Sequence, residues 1–98
     1  MTNYTVRVEL HATENGNNYE ELHLAMRRKG FSRTINIGGV GYKLPTAEYS
    51  MVSDLSGNQV LSKAEAAASS VQSYPKPSIL VTGSDTPRLH TGLERVIA

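Results

Sequence analysis

The stretch GYKLPTAEYSM, Gly41 to Met51, has the composition of a β-strand with a proline inside it. Side chains in a strand alternate between faces, so one face collects every second residue. Tyr42 and Leu44 keep even parity, whereas Ala47, Tyr49 and Met51 are odd. Two readings account for the change across Pro45. A bulge at Pro45–Thr46 would add one residue and flip the parity, so that all five side chains face the same side. Without a bulge, Tyr49 and Met51 lie on the open face of a sheet, where they can stack on a base or on a partner subunit.

Upstream, YTVRVELH alternates without interruption. Tyr4, Val6, Val8 and Leu10 make one face and Thr5, Arg7, Glu9 and His11 the other, the pattern of a half-buried strand. ATENGNN is a polar turn. NYEELHLAMRRKG then reads as a helix. Asn18 caps it with Glu21 three residues on. Glu20 and Glu21 sit in the first turn, Arg27, Arg28 and Lys29 in the last. Gly30 is the left-handed stop. Its buried stripe is Tyr19, Leu22, Ala25 and Met26, with Leu24 at the margin and His23 on the flank.

FSRTINI alternates again, with Phe31, Arg33, Ile35 and Ile37 on one side, unless Phe31 plugs the helix end. GGVG supplies positive-φ residues for a hairpin turn into the Gly41–Met51 strand. Ser56 and Gln59 form a capping box for an alanine-rich second helix with Val60, Ala64, Ala67, Ala68 and Val71 inward, ended by Pro75 and Pro77. SILVT is a short apolar strand. The tail holds a short edge strand around Leu93 to Ile97 or drapes.

The order β-α-β-β-α-β predicts an α+β, ferredoxin-like sandwich: a four-stranded antiparallel sheet with two helices on one face. The Gly41–Met51 strand is central in that arrangement. The 98 residues correspond to one domain, 1–98. A chain of this size buries roughly 60 to 68 % of its surface, which favours an open sheet face or a dimer groove over a deep cavity. A net charge of +1 gives no global field for nucleic acid, so any such contact needs a local patch. The absence of cysteine excludes disulfides, thiol catalysis and Cys-based metal sites. No signal peptide and no membrane span is read, and a cytoplasmic location is expected.

The three histidines, His11, His23 and His90, have no metal-ligand spacing, and neither a metal nor another cofactor is expected. The open sheet face is expected to gather Arg7, Glu9 and His11 from the first strand with Lys43 and Glu48 from the central one. Cation, carboxylate and imidazole are the parts that metal-free cleavage through a 2′-hydroxyl needs. Cross-strand ion pairing accounts for the same set. Arg27, Arg28, Lys29 and Arg33 form the strongest basic patch, suited to phosphates.

YTVRVELHATENGNNYEELHLAMRRKGFSRTI, GYKLPTAEYSM and QVLSKAEAAA together resemble the GhoS-type antitoxin family of short bacterial proteins from type V toxin–antitoxin systems. The resemblance runs from Tyr4 to Thr82, with Gly92-Leu93-Glu94 in the tail. It implies a ferredoxin-like fold similar to Cas2-like nucleases and endoribonuclease action on a toxin mRNA. Cas2-like metal nucleases carry an aspartate at the end of the first strand, where this chain reads Leu10-His11-Ala12-Thr13. Cleavage without a metal is therefore expected, with His11 or Glu9 for proton transfer. Arg7, Arg28, Arg33, Lys43 and Tyr49 are the expected RNA contacts. A non-enzymatic module that binds a protein partner, and an RNA binder without cleavage, are the alternatives. A homodimer is expected on size, paired through an edge strand or the C-terminal segment.

Overall fold

The structure, a computed structural model, describes residues 1–11 and 17–96. Strand β1 (Thr2–Glu9) leads to helix α1 (Asn17–Arg28). Strands β2 (Thr34–Ile37), β3 (Val40–Lys43) and β4 (Glu48–Ser53) follow. Helix α2 (Gly57–Val71) and strand β5 (Ser78–Ser84) complete the order. The fold is α+β. One antiparallel sheet has the order β4-β1-β5, and β2 and β3 form a separate two-stranded sheet.

β1 is hydrogen-bonded on both edges, with Val6 opposite Tyr49 of β4 and Val81 of β5. Its apolar face is the one the alternation predicts: Tyr4, Val6, Val8 and Leu10 are buried. These residues meet Leu22 and Met26 of α1 and Val60, Ala64, Ala67 and Ala68 of α2 in one continuous cluster. Each fully buried valine contributes roughly 1.5–3 kcal/mol relative to exposure. The alanines of α2 leave that helix close to the sheet. The Ser56–Gln59 capping box is formed on both sides, at 2.8 and 3.2 Å.

Gly41–Met51 is not one strand. It is β3, a turn over 44–47, and β4. Pro45 therefore interrupts no ladder. Its carbonyl accepts from the Glu48 N–H at 3.1 Å, closing a β-turn. Ala47, at φ 72°, takes the left-handed third position that a type II turn demands. The Ala47 carbonyl then accepts from Val8 at 2.9 Å, tying the turn to β1. Parity changes because two strands of different sheets meet here. Tyr49 and Met51 face the helices, as the bulge reading requires, but Tyr42, Leu44 and Ala47 do not join them in the core, because Tyr42 belongs to the separate hairpin and Leu44 and Ala47 to the turn. The open-face placement of Tyr49 and Met51 is not adopted. Lys43 is likewise not on the β4-β1-β5 sheet; it lies opposite Thr34 in the hairpin.

Residues 31–37 do not form one continuous strand either. Phe31 plugs the helix end: its N–H bonds the Met26 carbonyl at 3.0 Å and its ring is buried in the core. Gly30, at φ 93°, makes that reversal, and a Cβ there would sit 3.3 Å from Met51 Cε. Ser32 then bridges Ser50 of β4 before the hairpin departs. Gly38 and Gly39, at φ 60° and 82°, form its turn. α1 begins one residue before the expected cap, so Asn18 lies within the helix. The predicted polar turn after β1 falls mostly on 12–16, outside the described residues.

The tail pairs with β3. Arg95 bridges Tyr42, and Lys43 N–H bonds the Glu94 carbonyl at 2.8 Å. Between β5 and that bridge, Arg88 reaches the other face of the sheet, where it bonds the Thr5 hydroxyl at 3.2 Å and the Tyr4 carbonyl. Ile35, buried outside the main core, shares this side with Leu44, Pro45 and Leu93. Among the described residues no helix is long and apolar enough to cross a membrane.

Replacing Ala47 by glycine should stabilise the fold by about 0.5 kcal/mol. The left-handed backbone costs an L-residue about 1–2 kcal/mol, partly offset by the greater freedom of glycine in the unfolded chain. A lower urea midpoint for Ala47→Gly would contradict the turn described here.

Candidate functional site: a basic groove and a sheet-face cluster

Two surfaces carry the charged residues singled out in the sequence. The first lies on β1 and β5. His11 Nε2 is 2.7 Å from Ser78 Oγ, and His11 Nδ1 is 3.6 Å from Glu9 Oε1. The His11 carbonyl accepts from Gln72 at the end of α2, at 2.6 Å, which fixes the strand end. Arg7 stands opposite Glu48 and Leu80 and shares a shallow depression with Glu9 and Ser78. Alternation along β1 thus brings Arg7, Glu9 and His11 to one face.

The second surface is built by the end of α1. Gly30 reverses the chain and Phe31 anchors it, so Ser32 and Arg33 emerge beside the last helical turn. His23, Leu24 and Arg27 project from the last two turns on one side, because positions three and four apart share a helix face. His23, Leu24, Arg27, Phe31, Ser32 and Arg33 line a groove of about 430 Å³. Arg33 also lines a second groove, of about 570 Å³, together with Lys43, Leu44, Pro45 and Glu94. Lys43 Nζ lies 3.8 Å from Glu94 Oε1. Arg27, Arg28 and Arg33 make no ion pair among the described residues. Arg28 is exposed at the helix end but lines neither groove.

Tyr49 belongs to the floor, not the surface. Its residue is wholly buried, and its hydroxyl lies 2.6 Å from His23 Nδ1. The rings are tilted at 57° with centroids 5.7 Å apart. Tyr49 is therefore withdrawn from direct contact with RNA, a correction to the open-face expectation. Sequence reasoning placed His23 on the helix flank and missed its partner. Its spacing to Arg27, one helical turn on, was the available signal.

The pair has a defined proton arrangement. Burial pushes the Tyr49 phenol up to about 12; the Arg33 charge opposes this and Tyr19 adds to it. The phenol thus stays protonated and needs an acceptor. Among the described residues His23 Nδ1 is the only hydrogen-bond partner it has. Tyr49 therefore donates to Nδ1, and the neutral imidazole of His23 carries its proton on Nε2. Burial, and secondly the Arg33 charge, lower the His23 pKa below 6.5, against a smaller upward pull from Glu20. His23 then presents an N–H donor on the edge away from Tyr49.

Among the described residues no three His, Asp or Glu side chains converge as metal ligands. Set against family models, curated proteins and solved structures, the chain matches none of them.

Tyr49→Phe should cost about 1–3 kcal/mol in urea unfolding, since it leaves Nδ1 without its donor. The depressed His23 pKa contributes stability that is fully present above 6.5 and lost as pH falls through the folded-state value. The raised Tyr49 pKa contributes stability that is full below 10.0 and lost as pH climbs towards about 12. A Tyr49→Phe protein as stable as the parent across this range would contradict the pairing.

Proposed function

We propose that the protein is an antitoxin-like, cytoplasmic RNA-binding protein that engages a toxin mRNA and cleaves it without a metal ion. The observation that carries the reading is Arg33. It forms a wall of both grooves, with Arg27 on one side and Lys43 on the other. Among the described residues Arg27 and Arg33 make no ion pair; guanidiniums suit the planar oxygens of a phosphodiester, and a track spanning two grooves suits a chain of them. Arg28 extends the positive surface at the helix end.

The cleavage half of the proposal uses the sheet face. The 2′ oxygen attacks phosphorus, its proton passes to His11, and water protonates the departing 5′ oxygen. Ser78 and Glu9 orient the imidazole, and Arg7 offsets the charge that develops on the phosphoryl oxygens. We also read the architecture as ferredoxin-like. The path β1-α1-β4-α2-β5 and the bridge from Ser32 to Ser50 support this, with the β2-β3 hairpin as an outgrowth from the fourth strand position.

A second reading, a dimeric module without enzymatic activity, has its own support. β5 is an edge strand of seven residues, SILVTGS, without charge or proline. Such an edge is a template for pairing with a second copy. Leu80 on it and Leu61 beside it are exposed.

Incubation with an AU-rich transcript, with and without EDTA, tests the first reading. Cleavage is expected in both, reduced about 100-fold or more by His11→Ala. An intact transcript, or undiminished cleavage by His11→Ala, would overturn the catalytic half. A dimer by light scattering with no RNA binding would favour the second reading.

A further inference from the structure

The groove beside His23 has features that general attraction to RNA does not require. Three of its polar arms, His23 Nε2–H and the guanidiniums of Arg27 and Arg33, are donors; the fourth, the Ser32 hydroxyl, is held by Thr34, whose N–H it accepts at 3.1 Å; and among the described residues no carboxylate lines the groove. Two cations on one groove repel each other until an anion separates them. His23 cannot turn its acceptor nitrogen to the groove without stranding the buried Tyr49 hydroxyl. The remaining wall is apolar: Leu24, 54 % exposed on the rim, and the edge of buried Phe31. A volume of about 430 Å³ is in the range of small-molecule sites.

We propose that this groove is a nucleotide subsite, in which Arg27, Arg33 and the Nε2–H of His23 hold one phosphate ester and Leu24 with Phe31 packs against the attached nucleoside. The inference deepens the RNA-binding reading and rests on it for the source of the ligand. Tyr49 acts as a positioning residue: its hydroxyl holds the imidazole as a donor and does not touch the phosphate. A bound phosphate faces Arg27 and Arg33 from the groove walls, with Glu20 on the same helix as His23 and Tyr49 beneath.

The test is an NMR titration of the full chain with adenosine monophosphate, inorganic phosphate and adenosine, read at the His23 ring nitrogens. The free protein should show the Nε2–H tautomer. Adenosine monophosphate should shift the Nε2 resonance, inorganic phosphate should bind about tenfold more weakly, and adenosine should leave Nε2 unmoved. Arg33→Ala, at an exposed position, should weaken the nucleotide about tenfold or more. Tyr49→Phe should populate the other tautomer and weaken it too. If Tyr49→Phe fails to fold, the parent's tautomer and Arg33→Ala suffice.

An Nδ1–H tautomer in the parent, no shift with adenosine monophosphate, or equal affinity for inorganic phosphate would overturn the subsite. A silent His23 in a protein that still binds RNA sinks the subsite alone. A nucleotide shift at His23 in a protein that binds no RNA sinks the RNA reading and leaves the subsite standing.

Discussion

A tyrosine hydroxyl in the core has to find an acceptor, and the one Tyr49 finds is His23. Leaving that hydroxyl unpaired would cost about 1–3 kcal/mol, a large share of what a small domain has to spare. The bond therefore constrains how α1 lies on β4. Leu22 and Met26 are buried in the same stripe, so the helix is held by packing and keyed by one polar contact. Because the key is a histidine, the constraint reaches the surface. It decides which ring nitrogen carries a proton and which edge of the imidazole the groove receives.

The two sides of the β4-β1-β5 sheet are used differently. The helices cover one side with a continuous apolar core. On the other side Arg88, from the tail, covers the Tyr4–Thr5 region, and Arg7, Glu9 and His11 are left on the same strand beyond it. The β2-β3 hairpin and the tail segment that bridges to it form the outer wall of the second basic groove. Arg33 sits where α1, the hairpin and the turn at Pro45 converge, which is why one side chain serves both grooves.

β1 and both helices were legible in the sequence because each combines a clean hydrophobic period with local end signals. Gly30 and the Ser56–Gln59 box are written into adjacent residues. GYKLPTAEYSM was harder, because its alternation on either side of Pro45 belongs to two different sheets. A left-handed alanine at position 47 has no propensity signature, so nothing local separates a turn from a bulge. The grouping of Arg7, Glu9 and His11 followed from strand period alone. The His23–Tyr49 pair did not, since its partners are 26 residues apart and meet only once α1 has docked. The sharing of Arg33 between grooves has the same origin in tertiary packing.

The central claim is that an RNA backbone lies along the grooves that Arg33 joins. Affinity for a single-stranded transcript as a function of salt tests it most directly, because each neutralised phosphate contributes a slope of about −0.7 in log K against log salt. With Arg27 and Arg33 on one phosphate and Lys43 on a second, the account predicts a slope of about −1.4. It also predicts that Arg33→Ala makes that slope shallower, by at most about 0.7. A slope that Arg33→Ala leaves unchanged would place the RNA elsewhere and contradict the account.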